Sequence, residues 1–192
     1  YYNKMKTITK YLQELEKHRG ETYEHSLRVA DLSRKLGEFN QFGIEDLHLL
    51  YNSGLVHDIG KLKVPVELLS KKGNLSENER MIINTHVREG FLILQGKNLR
   101  DIREVVIRHH EFSKDPYPRN GIDRRNNKRG SRRNSNERFN SLGQILAISD
   151  IYDALTSKRS YKDSLSKDKV SILIKQDFTG ENKYIDQVLY LN

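Results

Sequence analysis

The sequence predicts an all-α fold, and three observations support this prediction. Apolar residues recur every three or four positions through most of the chain, which is the period of a helix with one buried face. No segment shows the strict apolar/polar alternation of a half-buried strand, and no internal repeat is present. We therefore expect a single helical domain that spans residues 1–192.

The composition restricts the kinds of site that this domain can carry. The 192 residues include no cysteine, which excludes disulfides, thiolate zinc sites and thiol nucleophiles. Any metal site must therefore use histidine, aspartate and glutamate. No apolar run approaches the roughly 18 residues that span a bilayer, and no secretory signal opens the chain. A cytoplasmic location is expected.

The N-terminal residues are predicted to form a helix that Gly20 ends. The first residue is Tyr1 rather than methionine, so we expect the chain to be a fragment of a longer protein. Residues 1–19 carry apolar side chains at helical spacing and could be a linker from an upstream domain.

A second helix is predicted for residues 21–39. Counting back by four positions from the apolar stripe at Val29 reaches His25 and then Glu21. Both side chains are therefore expected on the buried face, where a Glu/His pair one turn apart could clamp a cation. Taken alone, the pair is explained as well by a capping glutamate beside a hydrogen-bonded core histidine.

The central motif is the adjacent pair His57 and Asp58, at the end of an apolar helix predicted for residues 44–58. An imidazole and a carboxylate side by side are two metal ligands of different hardness. Gly60 frees the backbone to turn beneath them. Lys61 then brings a positive charge close to whatever the metal holds, most naturally a phosphate.

Three further histidines lie on or at the end of predicted helices. A capping-box signature at Ser76 starts a helix that runs to about residue 94, with His86 on its apolar stripe. His109 and His110 end another predicted helix, over residues 101–110. Taken singly, His86 could be a hydrogen-bonded core residue and the His-His pair could be a solvated helix end.

Residues 112–141 are predicted to form a long basic loop. The net charge of the chain is +8, and residues 123–138 alone hold seven basic residues against two acidic ones. Almost no apolar side chain is available there to stabilise an ordered structure by burial. Clustered arginines could contact RNA or DNA, but aromatic residues for base stacking are scarce. A solvated insert is therefore favoured, and nucleic-acid binding is not expected.

The last strong helix is predicted for residues 142–158, and its inward stripe includes Asp150 and Asp153. Arg159 and Lys162 follow just past its end. Two shorter helices, over residues 166–175 and 182–191, are predicted to close the chain.

Separate predicted helices thus each present a metal-ligand side chain, and five of the seven histidines belong to the set. Its members are Glu21, His25, His57, Asp58, His86, His109, His110 and Asp150. A buried unpaired carboxylate is costly, so we expect these groups to converge around cations. Eight ligands exceed the need of one ion, which predicts two or three. Nitrogen and oxygen donors without sulfur suit iron or manganese, and zinc less specifically.

A cluster of this kind predicts a metal-dependent phosphodiesterase. Its metal ions can turn water into hydroxide near neutral pH and can clamp both oxygens of an in-line displacement at phosphorus. Lys61, Arg159 and Lys162 are suited to holding nonbridging phosphate oxygens. No serine, threonine or cysteine needs to act as a nucleophile.

Five ordered segments also carry a resemblance to a known family. They are ETYEHSLRV from Glu21, HDIGKLKVP from His57, THVREG from Thr85, HHE from His109 and SDIYDALTSKRSYK from Ser149. Together they resemble the HD superfamily and, within it, the HD-GYP subgroup of bacterial cyclic di-GMP phosphodiesterases, over about residues 20–180. The resemblance implies an HD-domain helical bundle whose matched residues ligate two or three metal ions, commonly iron, with Glu21 serving a third ion.

The resemblance also implies an activity, the hydrolysis of cyclic di-GMP to linear pGpG or onward to GMP. Asp58 and Lys61 match catalytic positions, and Lys61, Arg159 and Lys162 match residues that contact substrate phosphates. The motif that names the subgroup is altered, because Pro116 stands where glycine is expected before Tyr117, and proline fixes φ and lacks an N–H.

The altered turn and the basic loop after it leave substrate preference and partner docking open. Tyr117 is expected beside the substrate, and residues 112–141 could dock a signalling protein. One alternative is a phosphohydrolase for another cyclic dinucleotide. Another is a non-catalytic module that binds a dinucleotide or a protein.

Overall fold

The structure, a computed structural model, describes residues 2–117, 131–157 and 165–191. Within these ranges the chain forms ten α-helices and two 3₁₀ helices, Ile59–Lys63 and Lys97–Leu99. The α-helices are α1 Tyr2–His18, α2 Gly20–Phe39, α3 Ile44–Val56, α4 Val66–Leu69, α5 Glu77–Asn84, α6 His86–Ile93, α7 Arg100–Val106, α8 Ser131–Thr156, α9 Lys167–Asp177 and α10 Asn182–Tyr190. The only β-type pairing in these ranges is one isolated bridge between Ser113 and Phe178, so the all-α prediction is confirmed.

The core lies where α2 packs against α3 and α8, and α3 packs against α7. Leu36, Leu50 and Leu146 are fully buried at its centre. α2 and α3 approach each other closely, since a Cβ at Gly54 would come within 2.5 Å of the Cα atom of Ala30. This contact of backbone on backbone fixes α3 relative to α2. None of the described helices has the length and apolar character that a membrane crossing needs.

Three predicted helix boundaries are wrong, and each error falls beside a histidine of the predicted cluster. α3 ends at Val56 instead of residue 58, and α7 ends at Val106 instead of residue 110. The helix expected to run to residue 94 is broken at Thr85 into α5 and α6. At each break a histidine ring nitrogen contacts the carbonyl oxygen three residues earlier, which a continuing helix would use.

The junction between the first two helices also differs from the prediction. Gly20 begins α2 instead of ending α1, and the residue that separates the two helices is Arg19, in an extended conformation with φ of −160° and ψ of 105°. The capping box at the start of α5 is confirmed, because the Ser76 hydroxyl accepts from the backbone N–H of Glu79 and the Glu79 carboxylate accepts from that of Ser76.

The prediction of a loop over residues 112–141 is wrong from residue 131 onward, because α8 begins at Ser131. The Nε of Arg138 donates to Asp46 Oδ1 over 2.7 Å, which ties the N-terminal half of α8 to the start of α3. The part of the predicted loop at residues 118–130 lies outside the described residues. So do Arg159 and Lys162.

Candidate metal centre

Seven of the eight predicted ligands lie on three helices and on the turns that follow two others. His25 lies on α2, His86 begins α6, and Asp150 lies on α8, while His57/Asp58 and His109/His110 occupy the turns after α3 and α7. Two groups of three residues could each hold a metal ion, because within each group the ligand atoms lie within 4.8 Å of one another. One is His86, His109 and His110, and the other is His25, His57 and Asp58.

Asp58 belongs to the second group and also faces the first. Its Oδ1 atom is 3.4 Å from Nε2 of His86, and its Oδ2 atom is 3.5 Å from Nε2 of His57. Asp150 Oδ1 adds a second carboxylate oxygen, 2.9 Å from Nε2 of His25 and 3.7 Å from that of His57. The geometry suits a carboxylate at position 58 that bridges two cations, with Asp150 facing only one of them.

Burial keeps His86 and His109 neutral and neighbouring positive charge keeps Asp58 ionised, and these are the protonation states that metal ligands require. Loss of hydration on burial lowers the pKa of His86 to about 4 and that of His109 to about 3. Burial by itself would raise the pKa of Asp58, but the Lys61 ammonium, 2.5 Å from Oδ2, and the nearby imidazoles hold it well below its usual range. His25 differs from His86 and His109, because burial would lower its pKa but its hydrogen bonds to Asp150 and Asp153 raise it.

Three of the imidazoles are oriented by the backbone carbonyl three residues earlier. The Nδ1-to-oxygen distances are 2.8 Å for His57 to Gly54, 2.7 Å for His86 to Ile83 and 2.6 Å for His109 to Val106. A carbonyl only accepts hydrogen bonds, so Nδ1 carries the proton and Nε2 carries the lone pair.

The lone pair of His57 provides a test of whether the residues fit a metal ion. Nε2 of His57 is buried and has no hydrogen-bond partner among the described residues. A buried acceptor without a donor is costly, and this one lies beside the ionised oxygens of Asp58 and Asp150. A divalent cation would satisfy all three groups at once, so the donor set fits such an ion.

Glu21 does not lie on the buried face that the sequence analysis predicted. Its side chain is 42% exposed and accepts a hydrogen bond from Arg19 over 2.5 Å. Glu21 lies eight positions before Val29. Eight positions correspond to two helical turns plus a rotation of about 80° around the helix axis, which turns Glu21 away from the stripe. It lines, with His25 and Lys61, a cleft of about 290 Å³ beside the cluster. Its role as a ligand for a third ion stays a prediction.

Comparison with known proteins assigns the chain to a family. The family model described as HD domain matches residues 22–155, a span that contains His25, the adjacent His57 and Asp58, and Asp150. The chain belongs to the HD domain family. The superfamily resemblance and the helical bundle that it implies are therefore confirmed.

Relatives of this HD domain carry names of cyclic-dinucleotide enzymes. It is 33% identical over 160 residues to 3′3′-cGAMP-specific phosphodiesterase 1 of Vibrio cholerae, covering 81% of this chain and 34% of the relative. It is 31% identical over 149 residues to a cyclic di-GMP phosphodiesterase of Thermotoga maritima, covering 74% and 36%. The chain thus spans about a third of the length of these relatives.

A solved structure supports the fold of this HD domain. The crystal structure of the HD domain of the L. monocytogenes phosphodiesterase PgpH aligns with a TM-score of 0.62. The alignment covers 94% of this chain and 93% of that one at 16% sequence identity. At that identity the similarity establishes a shared fold and no more.

Tyr117 lies against the histidine cluster of the HD domain. Its ring stacks on that of His110, with centroids 4.3 Å apart and planes inclined by 22°, and it meets His86 edge-on at 6.2 Å. Burial and the charges of Asp150 and Asp58 raise the pKa of the Tyr117 phenol, so its hydroxyl stays protonated. One ring face is therefore occupied by His110, and the predicted substrate contact stays a prediction.

Asp153 is a residue of the site whose role the sequence analysis missed. It was placed on the inward stripe of α8 without a function, yet its Oδ2 atom lies 2.7 Å from Nδ1 of His25. It also accepts from Arg28, whose guanidinium donates to both carboxylate oxygens. The spacing of three residues from Asp150 is the signal that could have identified it, because residues three apart share a helix face.

Proposed function

We propose that this HD domain is a metal-dependent phosphodiesterase that hydrolyses cyclic di-GMP to linear pGpG, or onward to GMP. The observation that supports this most directly is the position of Asp58, ionised and lying between two groups of imidazoles. Curated relatives similar over about three quarters or more of the chain are named as cyclic di-GMP or 3′3′-cGAMP phosphodiesterases.

Two divalent cations fit the two groups of ligands, with iron as the proposed metal and manganese as the alternative. His86, His109 and His110 with Asp58 would hold one, and the group of His25 and His57 with both aspartates would hold the other. Glu21 is the proposed ligand of a third ion. Bound cations would lower the pKa of a water molecule and would neutralise charge on the phosphate.

The protein residues bind and orient the phosphodiester in this proposal. Asp58 is ionised at neutral pH because its pKa is lowered, so it can stay a ligand of both cations while negative charge develops on the phosphate during hydrolysis. Lys61 is partly exposed at the cleft, and its Nζ atom forms an ion pair with Asp58 Oδ2. From there it can also reach a nonbridging phosphate oxygen. Arg159 and Lys162 are proposed to contact the other phosphate, and Tyr117 is proposed to contact the substrate beside His110.

The test is the hydrolysis of cyclic di-GMP by the Asp58→Ala variant, with products separated by chromatography and metal content measured on the same samples. We expect turnover to fall at least 100-fold, since one substitution removes a ligand shared by both ions. Arg34→Ala is a matched control, because among the described residues Arg34 pairs with Glu38 alone, on the exposed side of α2. Wild-type turnover in Asp58→Ala would reject the proposal.

A second candidate substrate is 3′3′-cGAMP. It is favoured by the 33% identity to a phosphodiesterase named for that dinucleotide, and the altered turn at Pro116 leaves substrate preference open. Turnover of both dinucleotides by one preparation under identical conditions would rank them. Binding without any product from either one would favour the non-catalytic module instead.

A protein partner for residues 112–141 also belongs to this proposal. Positive charge is concentrated there, which suits an acidic surface on a signalling protein. Deleting residues 124–130, which precede α8, should weaken such docking and leave hydrolysis intact, because none of the proposed ligands lies in that segment.

A further inference from the structure

The histidines of the cluster are held in place in two different ways. His57, His86 and His109 stand at helix ends, where a backbone carbonyl is available to orient the ring. His25 lies inside α2, where the carbonyl oxygens of the preceding turn already accept helical hydrogen bonds. A side chain from elsewhere must therefore orient it.

Asp153 occupies that position. The Nδ1 atom of His25 lies 2.7 Å from Asp153 Oδ2, while Nε2, at the opposite side of the ring, lies 2.9 Å from Asp150 Oδ1. Asp150 is on the same side as Asp58 and His57, so Nε2 is the nitrogen that faces the cluster. The ring of His25 is therefore held between two carboxylates one turn apart on α8.

Asp153 is itself firmly held. Arg28 donates from Nε to Oδ1 over 2.7 Å and from Nη2 to Oδ2 over 3.0 Å, and the Ser157 hydroxyl donates to Oδ1 over 2.9 Å. The carboxylate is 5% exposed. Because Arg28 and Ser157 both donate to this carboxylate, Asp153 acts as a hydrogen-bond acceptor toward His25.

We propose that Asp153 is the positioning residue for one of the two metal positions. It keeps the proton of His25 on Nδ1 and thereby presents the Nε2 lone pair to an ion held with His57 and Asp58, while Arg28 fixes Asp153. This inference rests on the proposed function only in requiring that the cluster binds metal. The ion at His86, His109 and His110 does not depend on Asp153, because backbone carbonyls orient His86 and His109.

The experiment measures the number and affinity of bound Mn²⁺ ions, by calorimetry and by the electron spin resonance of free Mn²⁺, after removal of endogenous metal. The wild-type chain is expected to bind at least two ions. In Asp153→Ala one ion should bind 10–100-fold more weakly, the usual effect of losing the hydrogen-bond partner of a ligating histidine, and the other should be unchanged. Asp153→Asn should lose less affinity, because the amide oxygen still accepts from Nδ1.

Asp46→Ala is the matched control. It breaks another ion pair between α8 and a neighbouring helix, Asp46 with Arg138, at a place remote from the cluster. Both ions should bind this variant with wild-type affinity. If Asp46→Ala weakens one ion as much as Asp153→Ala does, the effect comes from loosening α8 and the proposal is wrong.

The remaining outcomes separate this inference from the proposed function. Wild-type affinity for every ion in Asp153→Ala, or an equal loss at both positions, overturns the role of Asp153 and leaves the phosphodiesterase proposal standing. Failure of the wild-type chain to bind any Mn²⁺, Fe²⁺ or Zn²⁺ overturns both. If Asp153→Ala does not fold, two other measurements test the proposal. One is the metal affinity of Asp153→Asn. The other is nitrogen NMR of the Zn²⁺-loaded wild type, in which the proposal requires His25 to carry its proton on Nδ1.

Discussion

The backbone of Gly60 lies directly against the carbonyl oxygen of His86. A Cβ atom at position 60 would come within 1.8 Å of that oxygen and within 2.5 Å of the backbone nitrogen of Gly90. The sequence analysis expected Gly60 to provide a turn, but Gly73 is the only glycine with positive φ in the described ranges. Gly60 is needed because α6 approaches the 3₁₀ helix Ile59–Lys63 so closely, which brings His86 to Asp58.

Gly60→Ala is therefore expected to lower the free energy of unfolding by about 3 kcal/mol and to weaken metal binding. The added methyl group meets backbone atoms, which cannot rotate away as a side chain can. Denaturant unfolding of the metal-free protein measures the stability. Gly20→Ala is the control, since no atom lies within 4 Å of a Cβ there and alanine suits a helix better than glycine. Equal stability of the two variants would contradict the expected clash.

Removal of metal is expected to lower the melting temperature, because bound ions stabilise only the folded state. Each site occupied at a free Mn²⁺ concentration 100 times its Kd should add about 2.7 kcal/mol. Calcium at the same concentration should add little, since it prefers oxygen ligands and the cluster offers mainly imidazoles. Melting curves with chelator, Mn²⁺ and Ca²⁺ test this. Equal stabilisation by both ions would indicate binding to surface carboxylates instead.

Replacement of Tyr117 separates its contact with His110 from its hydroxyl group. Tyr117→Ala should weaken Mn²⁺ binding by roughly 2–10-fold, corresponding to about 0.5–1.5 kcal/mol for the stacked pair, because His110 loses the ring that packs on it. Tyr117→Phe keeps that ring and should bind metal as the wild type does. Metal titration of both variants is the measurement. If Phe and Ala behave alike, the hydroxyl matters more than the stacking.

The capping box of α5 is expected to hold a helix that has no buried residue. Ser76→Ala should cost about 1 kcal/mol of local stability and increase amide exchange in α5. Hydrogen bonds from Lys71 and from the Ser76 backbone lower the pKa of Glu79. Its contribution is therefore complete above its ordinary pKa and is lost as the pH falls through the lowered value.

Carbon chemical shifts of α5 between pH 7 and pH 3 should report this loss. The matched control is Glu77→Gln, which removes a charge from the same turn and leaves the box intact. Wild-type helicity of α5 in Ser76→Ala at every pH would show that the cap has no role.

The convergence of seven of the eight predicted ligands could be predicted because most of them lie at definite places in a helical pattern. His57, His86 and His109 follow apolar stripes that must face one core, so their side chains had to meet there. Their chemistry then pointed to cations before any distance was known. The ring-to-carbonyl contacts that orient them, and that end the helices early, depend on rotamers that no residue spacing specifies.

Other parts of the site could not be predicted from apolar periodicity. Glu21 lies two turns from the stripe residue used to place it, and the remaining rotation carries it to the surface. The pattern of α8 identifies Asp153 only as a second acid on the inward stripe. Its role depends on a contact with His25, which lies 128 positions earlier in the chain, and no spacing within α8 indicates that contact. The first turns of α8, from Ser131, are too polar to show a buried face, so the sequence pattern predicts a loop there.

The exposed position of α5, together with the absence of cysteine, makes the chain convenient for site-specific labelling. Met81 on α5 is 61% exposed, and its helix leads through Thr85 directly into His86. A single cysteine introduced at this position would be the sole thiol of the chain. A fluorophore attached there would sit one helical turn and a half from an imidazole of the centre, and its emission could follow events at the centre without a probe inside the core.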